Sequence, residues 1–109
     1  MATGSALGST DLMILLVLMR LGDEAYGVTI AREIEETTRR TVALASVYAT
    51  LDRLVERGFA TSELGEPTAE RGGRAKKHFR ITGKGVRAVR SAKQSFVRLW
   101  KDLPELGGA

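Results

Sequence analysis

The chain contains no cysteine. That absence removes disulfides, thiolate nucleophiles and thiolate metal sites together, and fits a reducing, cytoplasmic setting. His78 is the single histidine, so neither a Ser-His-acid or Cys-His set nor a histidine-based metal site has support, and no cofactor is expected. No Gly-rich loop has the spacing that cradles a nucleotide phosphate; Gly83-Lys84-Gly85 is too short and more simply begins a helix. The carboxylates Glu33, Glu35 and Glu36 fall on a helix surface with no implied cleft, so the chain does not read as an enzyme. Aromatics are only 6% of the residues, and the basic strand near the C-terminus holds Phe79 alone, too few to stack the bases of single-stranded RNA. Long apolar runs are missing as well. The run Leu12 to Met19 falls far short of the ~20 residues that span a bilayer, and only Asp11 carries charge before it, so neither a membrane span nor a secretory signal is expected. A helix buried on all sides explains that run.

What remains is one small domain of 109 residues with 43% apolar composition, a size that often gains from oligomerisation. Residues 1–8 are small and weakly patterned and read as a flexible arm. Ser9 or Thr10 can cap a first helix, with Asp11 in its first turn, running to about Arg20 and stopping at Gly22. Asp23 can cap a second helix, in which Tyr26, Ile30 and Ile34 form an apolar stripe and Arg32, Glu33, Glu35 and Glu36 face water. After a turn over Thr37 to Thr41, Leu44, Val47, Tyr48, Leu51, Leu54 and Val55 recur at helical spacing, which points Ser46, Ala49, Thr50, Arg53 and Arg57 away from the core. Gly58 sits where a C-terminal cap belongs. Phe59 to Leu64 reads as a strand, Gly65, Glu66 and Pro67 open a loop, and Lys76 to Ile81 returns with Phe79 and Ile81 alternating against His78 and Arg80. Thr82 can cap a last helix. The expected fold is mainly α with a small β-hairpin: a winged helix-turn-helix over residues 9–82, a C-terminal helix over 83–103 and a tail over 104–109.

Charge is partitioned along the chain. Met1 to Glu70 holds 6 Lys or Arg against 11 Asp or Glu, whereas Arg71 to Ala109 holds 11 against 2, within a total of +4. The positive field therefore lies in the loop, the strand after it and the last helix. Such a field attracts polyanions and is the footprint expected of nucleic-acid binding, although an acidic membrane, an acidic partner or a solvated basic face satisfies charge alone equally well.

Three segments carry a resemblance. Leu15 to Ile34, Ala43 to Phe59 and Gly65 to Thr82 resemble the PadR-like winged helix-turn-helix transcriptional regulators. The strongest parts are Ala25-Tyr26-Gly27, Ser46-Val47-Tyr48 with Leu51 and Leu54, and Gly72-Gly73-Arg74 followed by Lys76-Lys77-His78-Phe79-Arg80-Ile81-Thr82. The resemblance implies a homodimeric bacterial or archaeal regulator, usually a repressor, whose third helix and wing bind operator DNA and whose last helix pairs two subunits. With a single C-terminal helix, the chain resembles the compact branch of that family. Many members begin the third helix with Ser-Pro-Gly or a similar capping turn. Here Ala43, Leu44 and Ala45 stand in its place, and Thr41 is the nearest capping side chain.

The expected contacts with double-stranded DNA follow. Arg53, Ser46, Ala49 and Thr50 would meet bases or phosphates from the third helix, against the alternative that Arg53 is a solvated charge paired with Glu56. Tyr26 and Tyr48 would pack by their rings and turn their hydroxyls to phosphate. Arg71, Arg74, Lys76 and Lys77 would contact phosphate or the minor groove. Val86, Val89, Phe96, Trp100 and Leu103 form a 3,4-spaced seam for a second subunit, interrupted by Lys93; paired Trp100 rings would pack there, or stack a flat apolar inducer. The competing expectation is a nucleic-acid or protein-partner binding module without operator specificity.

Overall fold

The structure, a computed structural model, describes residues 7–65 and 76–104. Four helices and one antiparallel hairpin follow in the order α1 (Ser9–Leu21), α2 (Gly27–Thr38), α3 (Leu44–Glu56), β1 (Ala60–Leu64), β2 (Lys77–Ile81) and α4 (Gly83–Trp100). The expected arm over 1–8 lies mostly outside the described residues, but Leu7 packs against the core. The rest of the expected tail, beyond Pro104, is likewise outside them.

α1 begins one residue earlier than its hydroxyls suggested. Gly8 is the N-cap, and its N–H donates to the Asp11 carboxylate at 2.9 Å. Ile14, Leu15, Val17 and Leu18 are buried, but Leu16 and Met19 are exposed. The expectation of burial on all sides therefore fails within this chain: α2, α3, α4 and β2 cover α1 but leave Leu16 and Met19 exposed. Asp23 does not cap α2. It lies in a single 3-10 turn, Gly22–Glu24, and Tyr26 takes the cap position, its N–H donating to Thr29 Oγ1 at 3.0 Å. Ile30 and Ile34 are buried as the stripe required. Arg20 Nε donates to Glu33 at 2.7 Å and ties α1 to α2. This bond and one from Thr37 hold the Glu33 carboxyl below the usual glutamate range.

The three helices enclose Leu15, Leu18, Ile30, Ile34, Val47, Leu51 and Leu54, and the hairpin closes the core with Phe59, Ala60 and Phe79. α3 ends at Gly58, whose φ of 82° lies in the left-handed region. Gly58 N–H returns to Val55 O at 3.0 Å and Phe59 N–H to Leu54 O at 2.9 Å, the pair of bonds that closes a helix and redirects the chain into a strand. The register sets Ser62 opposite Phe79 and Leu64 opposite Lys77. Phe79, buried on the face that alternates with His78 and Arg80, fixes that register, since a slip of one residue would expose it. Its N–H also donates to Ala25 O at 2.9 Å, so β2 is stitched to the segment before α2 as well as to β1. Thr82 caps α4 as its position suggested: its Oγ1 accepts from Gly85 N–H at 3.1 Å and donates to Gly58 O at 2.7 Å.

Candidate nucleic-acid interface

α3 lies between the core and solvent, and its two faces differ from the expected division at Thr50 and Leu44, while Arg53 faces outward as expected but with a different partner. Thr50, expected to face outward, is only 3% exposed, buried beside Val47, Leu51 and Leu54. It stands three residues from Val47 and four from Leu54, so the helix turns its methyl inward. Leu44, expected in the apolar stripe, is 42% exposed at the first turn. Arg53 pairs with neither Glu56 nor open solvent alone: its Nη2 lies 3.5 Å from Asp11 Oδ1 and donates to Thr50 Oγ1 at 3.3 Å. Ser46, Ala49 and Arg53 do face outward, on an exposed face shared with Ala45, Asp52 and Glu56, with Tyr48 at its edge. Thr41, the nearest side chain, does not cap the helix; its hydroxyl turns back to Glu35 at 3.2 Å. Ala43 is the cap residue and offers no side-chain oxygen. First-turn amides without a side-chain acceptor suit an anion such as phosphate.

Tyr26 is the hub between α2 and the hairpin. Lys76 Nζ donates to its hydroxyl at 3.1 Å and lies 4.2 Å from its ring centroid. His78 meets the ring edge-on at 5.5 Å, while its Nδ1 lies 3.0 Å from Asp23 O. Arg80 closes the cluster by an ion pair with the Asp23 carboxylate. Tyr48 approaches from α3: a Cβ at Gly27 would overlap its ring and hydroxyl, so the glycine makes room for an aromatic laid across the start of α2. That contact explains why Tyr26-Gly27 and Tyr48 belong together, a link that spacing along either helix could not reveal. Lys77 is exposed and stands 5.8 Å from the ring of Phe79, two residues further along the same face of β2. Thus Tyr26, Tyr48 and Lys76 come together where the loop end of the hairpin meets the start of α2; Lys77, the next residue, points to the other face of the strand. Arg71 and Arg74 lie outside the described residues.

A two-stranded hairpin following a helix-turn-helix is the winged-helix arrangement. The sequence model described as "Transcriptional regulator PadR-like family" matches residues 14–91. The chain belongs to that family. A PadR-like transcription factor from Bacteroides fragilis shares its fold at a TM-score of 0.70 and 26% identity, over 84% of each chain. A transcriptional regulator from Clostridium thermocellum, 24% identical, gives a TM-score of 0.70 over 88% of this chain and 93% of that one. A PadR family regulator from Eggerthella lenta, 23% identical, gives 0.66 over 84% and 77%. No curated protein sequence matches. As a PadR-like protein the chain is a DNA-binding transcriptional regulator, in a family of regulators rather than enzymes.

In this PadR-like chain α4 departs from the expected seam at its first half. Val89 is buried in the chain's own core and is not available as a free seam residue, while Val86 is half-buried. The apolar exposure is concentrated further on, at Phe96, Val97, Leu99, Trp100 and Leu103, with Phe96 60% and Trp100 74% exposed. Val97 and Leu99 went unremarked in the sequence because they fall between seam positions. No described helix is long and apolar enough to cross a membrane.

Proposed function

We propose that the chain is a homodimeric, sequence-specific repressor that binds a near-palindromic operator, working on the nucleoid in a bacterial or archaeal cytoplasm. The observation that carries this reading is the exposed first half of α3, uncapped by any side chain and standing beside the Tyr26 and Lys76 cluster. Ser46, Ala49 and Tyr48 would enter the major groove, while Tyr26, Lys76 and Lys77, joined by Arg71 and Arg74 of the wing, would hold phosphates or the minor groove. Thr50 drops out of the contact set because it is buried. Arg53, engaged with Asp11 yet with more than half its side chain exposed, is placed to reach a phosphate rather than a base.

Phe96, Trp100 and Leu103 would pair two copies, extended by Val97 and Leu99. Two-fold pairing would set two recognition helices on successive major-groove faces, which calls for a pseudo-palindrome. A flat apolar compound stacked between paired Trp100 rings would act as an inducer by altering that pairing. Sequencing the DNA that the protein selects from a random pool tests the reading. Enrichment of one inverted-repeat site supports it; uniform recovery of all sequences overturns it in favour of an unspecific binding module.

A further inference from the structure

The exposed face of α3 has an unusual chemistry for a helix that reads DNA. Between Leu44 and Glu56 the one cation is Arg53, and its guanidinium is already engaged by Asp11 and by Thr50 Oγ1. No Asn, Gln or Lys occurs in that stretch, so Arg53 is the one side chain there able to make paired hydrogen bonds to a base edge, and Asp11 and Thr50 compete for it. Ala45, Ala49, Asp52 and Glu56 follow one another at spacings of four, three and four, which aligns them along the outward face. The carboxylates at the far end would repel the phosphate backbone, which favours approach by the first half. What the first half presents is Leu44, Ala45 and Ala49, all exposed, together with the hydroxyls of Ser46 and Tyr48. An exposed leucine beside two methyl groups gains by covering another apolar group, and the one apolar group on a major-groove edge is the thymine C5-methyl.

We infer that α3 reads its half-site chiefly through thymine methyl groups packed against Leu44, Ala45 and Ala49, and that thymine at those positions is what marks an operator. The inference rests on the proposed operator-binding role and deepens it. Ser46 adds a hydrogen bond that discriminates weakly, since a hydroxyl serves either as donor or as acceptor.

The test uses the full-length protein and the duplex that it selects from a random pool. Each thymine is replaced in turn by deoxyuridine, which removes the C5-methyl and preserves base pairing and the O4 acceptor. Replacement at one or two positions in each half-site should weaken binding about fourfold per methyl. Leu44→Ala, at an exposed position whose fold is checked by circular dichroism, should abolish the penalty at one of those positions, and Ala49→Gly at another. A full preference for the selected duplex over random DNA, unaltered by any deoxyuridine, overturns methyl reading and leaves the operator-binding role standing. Penalties that persist unchanged in both variants would reflect DNA stiffness and overturn it too. A protein with no preferred duplex overturns the operator-binding role itself.

Discussion

At the scale of single residues, the decisive contacts join side chains far apart in sequence. Gly27 is a glycine because Tyr48 lies across it. Gly27→Ala should push the Tyr48 ring outward. Because the displaced group is the end of a partly exposed side chain, the cost in stability should stay near the low end of overpacking, about 1 kcal/mol, while DNA binding falls more than stability does. Denaturant unfolding and binding titrations of Gly27→Ala, Tyr48→Ala and the double variant check this: the double variant should lose no stability beyond Tyr48→Ala. Glu33 gives a second residue-scale prediction. Its carboxyl is held low first by the Arg20 hydrogen bond and then by that of Thr37. A carboxylate whose pKa falls on folding adds stability that is present above the ordinary glutamate range and disappears as pH drops through the lowered value. Side-chain carboxyl titration by NMR should therefore find Glu33 below an ordinary glutamate, and Arg20→Ala should move it up; a Glu33 value indifferent to Arg20→Ala would show that the ion pair does not persist in solution.

The hairpin combines a structural role with the proposed contact to DNA. Phe79 anchors its inner face, and Lys76, Lys77, His78 and Arg80 divide their contacts between Tyr26, Asp23 and solvent. A two-stranded ribbon is marginal alone, so its orientation depends on this stitching to the start of α2. Replacing Lys77 by Ala should flatten the salt dependence of DNA binding by roughly 0.9 in the log-log slope, as one phosphate contact is lost, for preferred and random DNA alike. The same effect is expected of Arg74→Ala in the wing. Lys76→Ala should do more: besides the slope, it removes the contact with Tyr26 and loosens the hairpin, so hydrogen exchange at the Phe79 amide should quicken. A slope unchanged in a folded Lys77→Ala protein would place that lysine outside the interface.

At the scale of the whole molecule, the chain leaves most of α4 uncovered. Its 18 residues extend about 27 Å, and only Gly85 and Val89 are buried. Phe96, Val97, Leu99, Trp100 and Leu103 leave an apolar surface, and α1 offers another at Leu16 and Met19, beside an open groove of about 430 Å³ lined by Met13, Val17 and Ile34. Apolar area of this kind is what subunit association removes from water. The protein should sediment as a dimer, and Phe96→Asp combined with Trp100→Asp should yield folded monomers with greatly weakened operator binding, because two half-sites about 34 to 36 Å apart can no longer be held together. A wild-type monomer that binds single half-sites tightly would overturn the dimer.

The helices, the hairpin and the caps at Gly58 and Thr82 were legible in the sequence because each depends on local physics: apolar periodicity, a backbone position that favours glycine, a hydroxyl before a helix. The family resemblance rested on the same local motifs, and the match over residues 14–91 upholds it. Tertiary structure decided the matters that local spacing leaves degenerate. Thr50 and Leu44 sit near the boundary between the faces of α3, and only the placement of α1 and α2 determines which is buried. Arg53 had Glu56 within reach along its own helix but is held by Asp11 of α1. Asp23 has the side chain of a helix cap, yet Arg80 and His78, more than fifty residues later, draw it into the hairpin's anchor. Sequence periodicity sets which side chains share a helix face; the packing of one helix on another sets which face meets the core and which is left exposed.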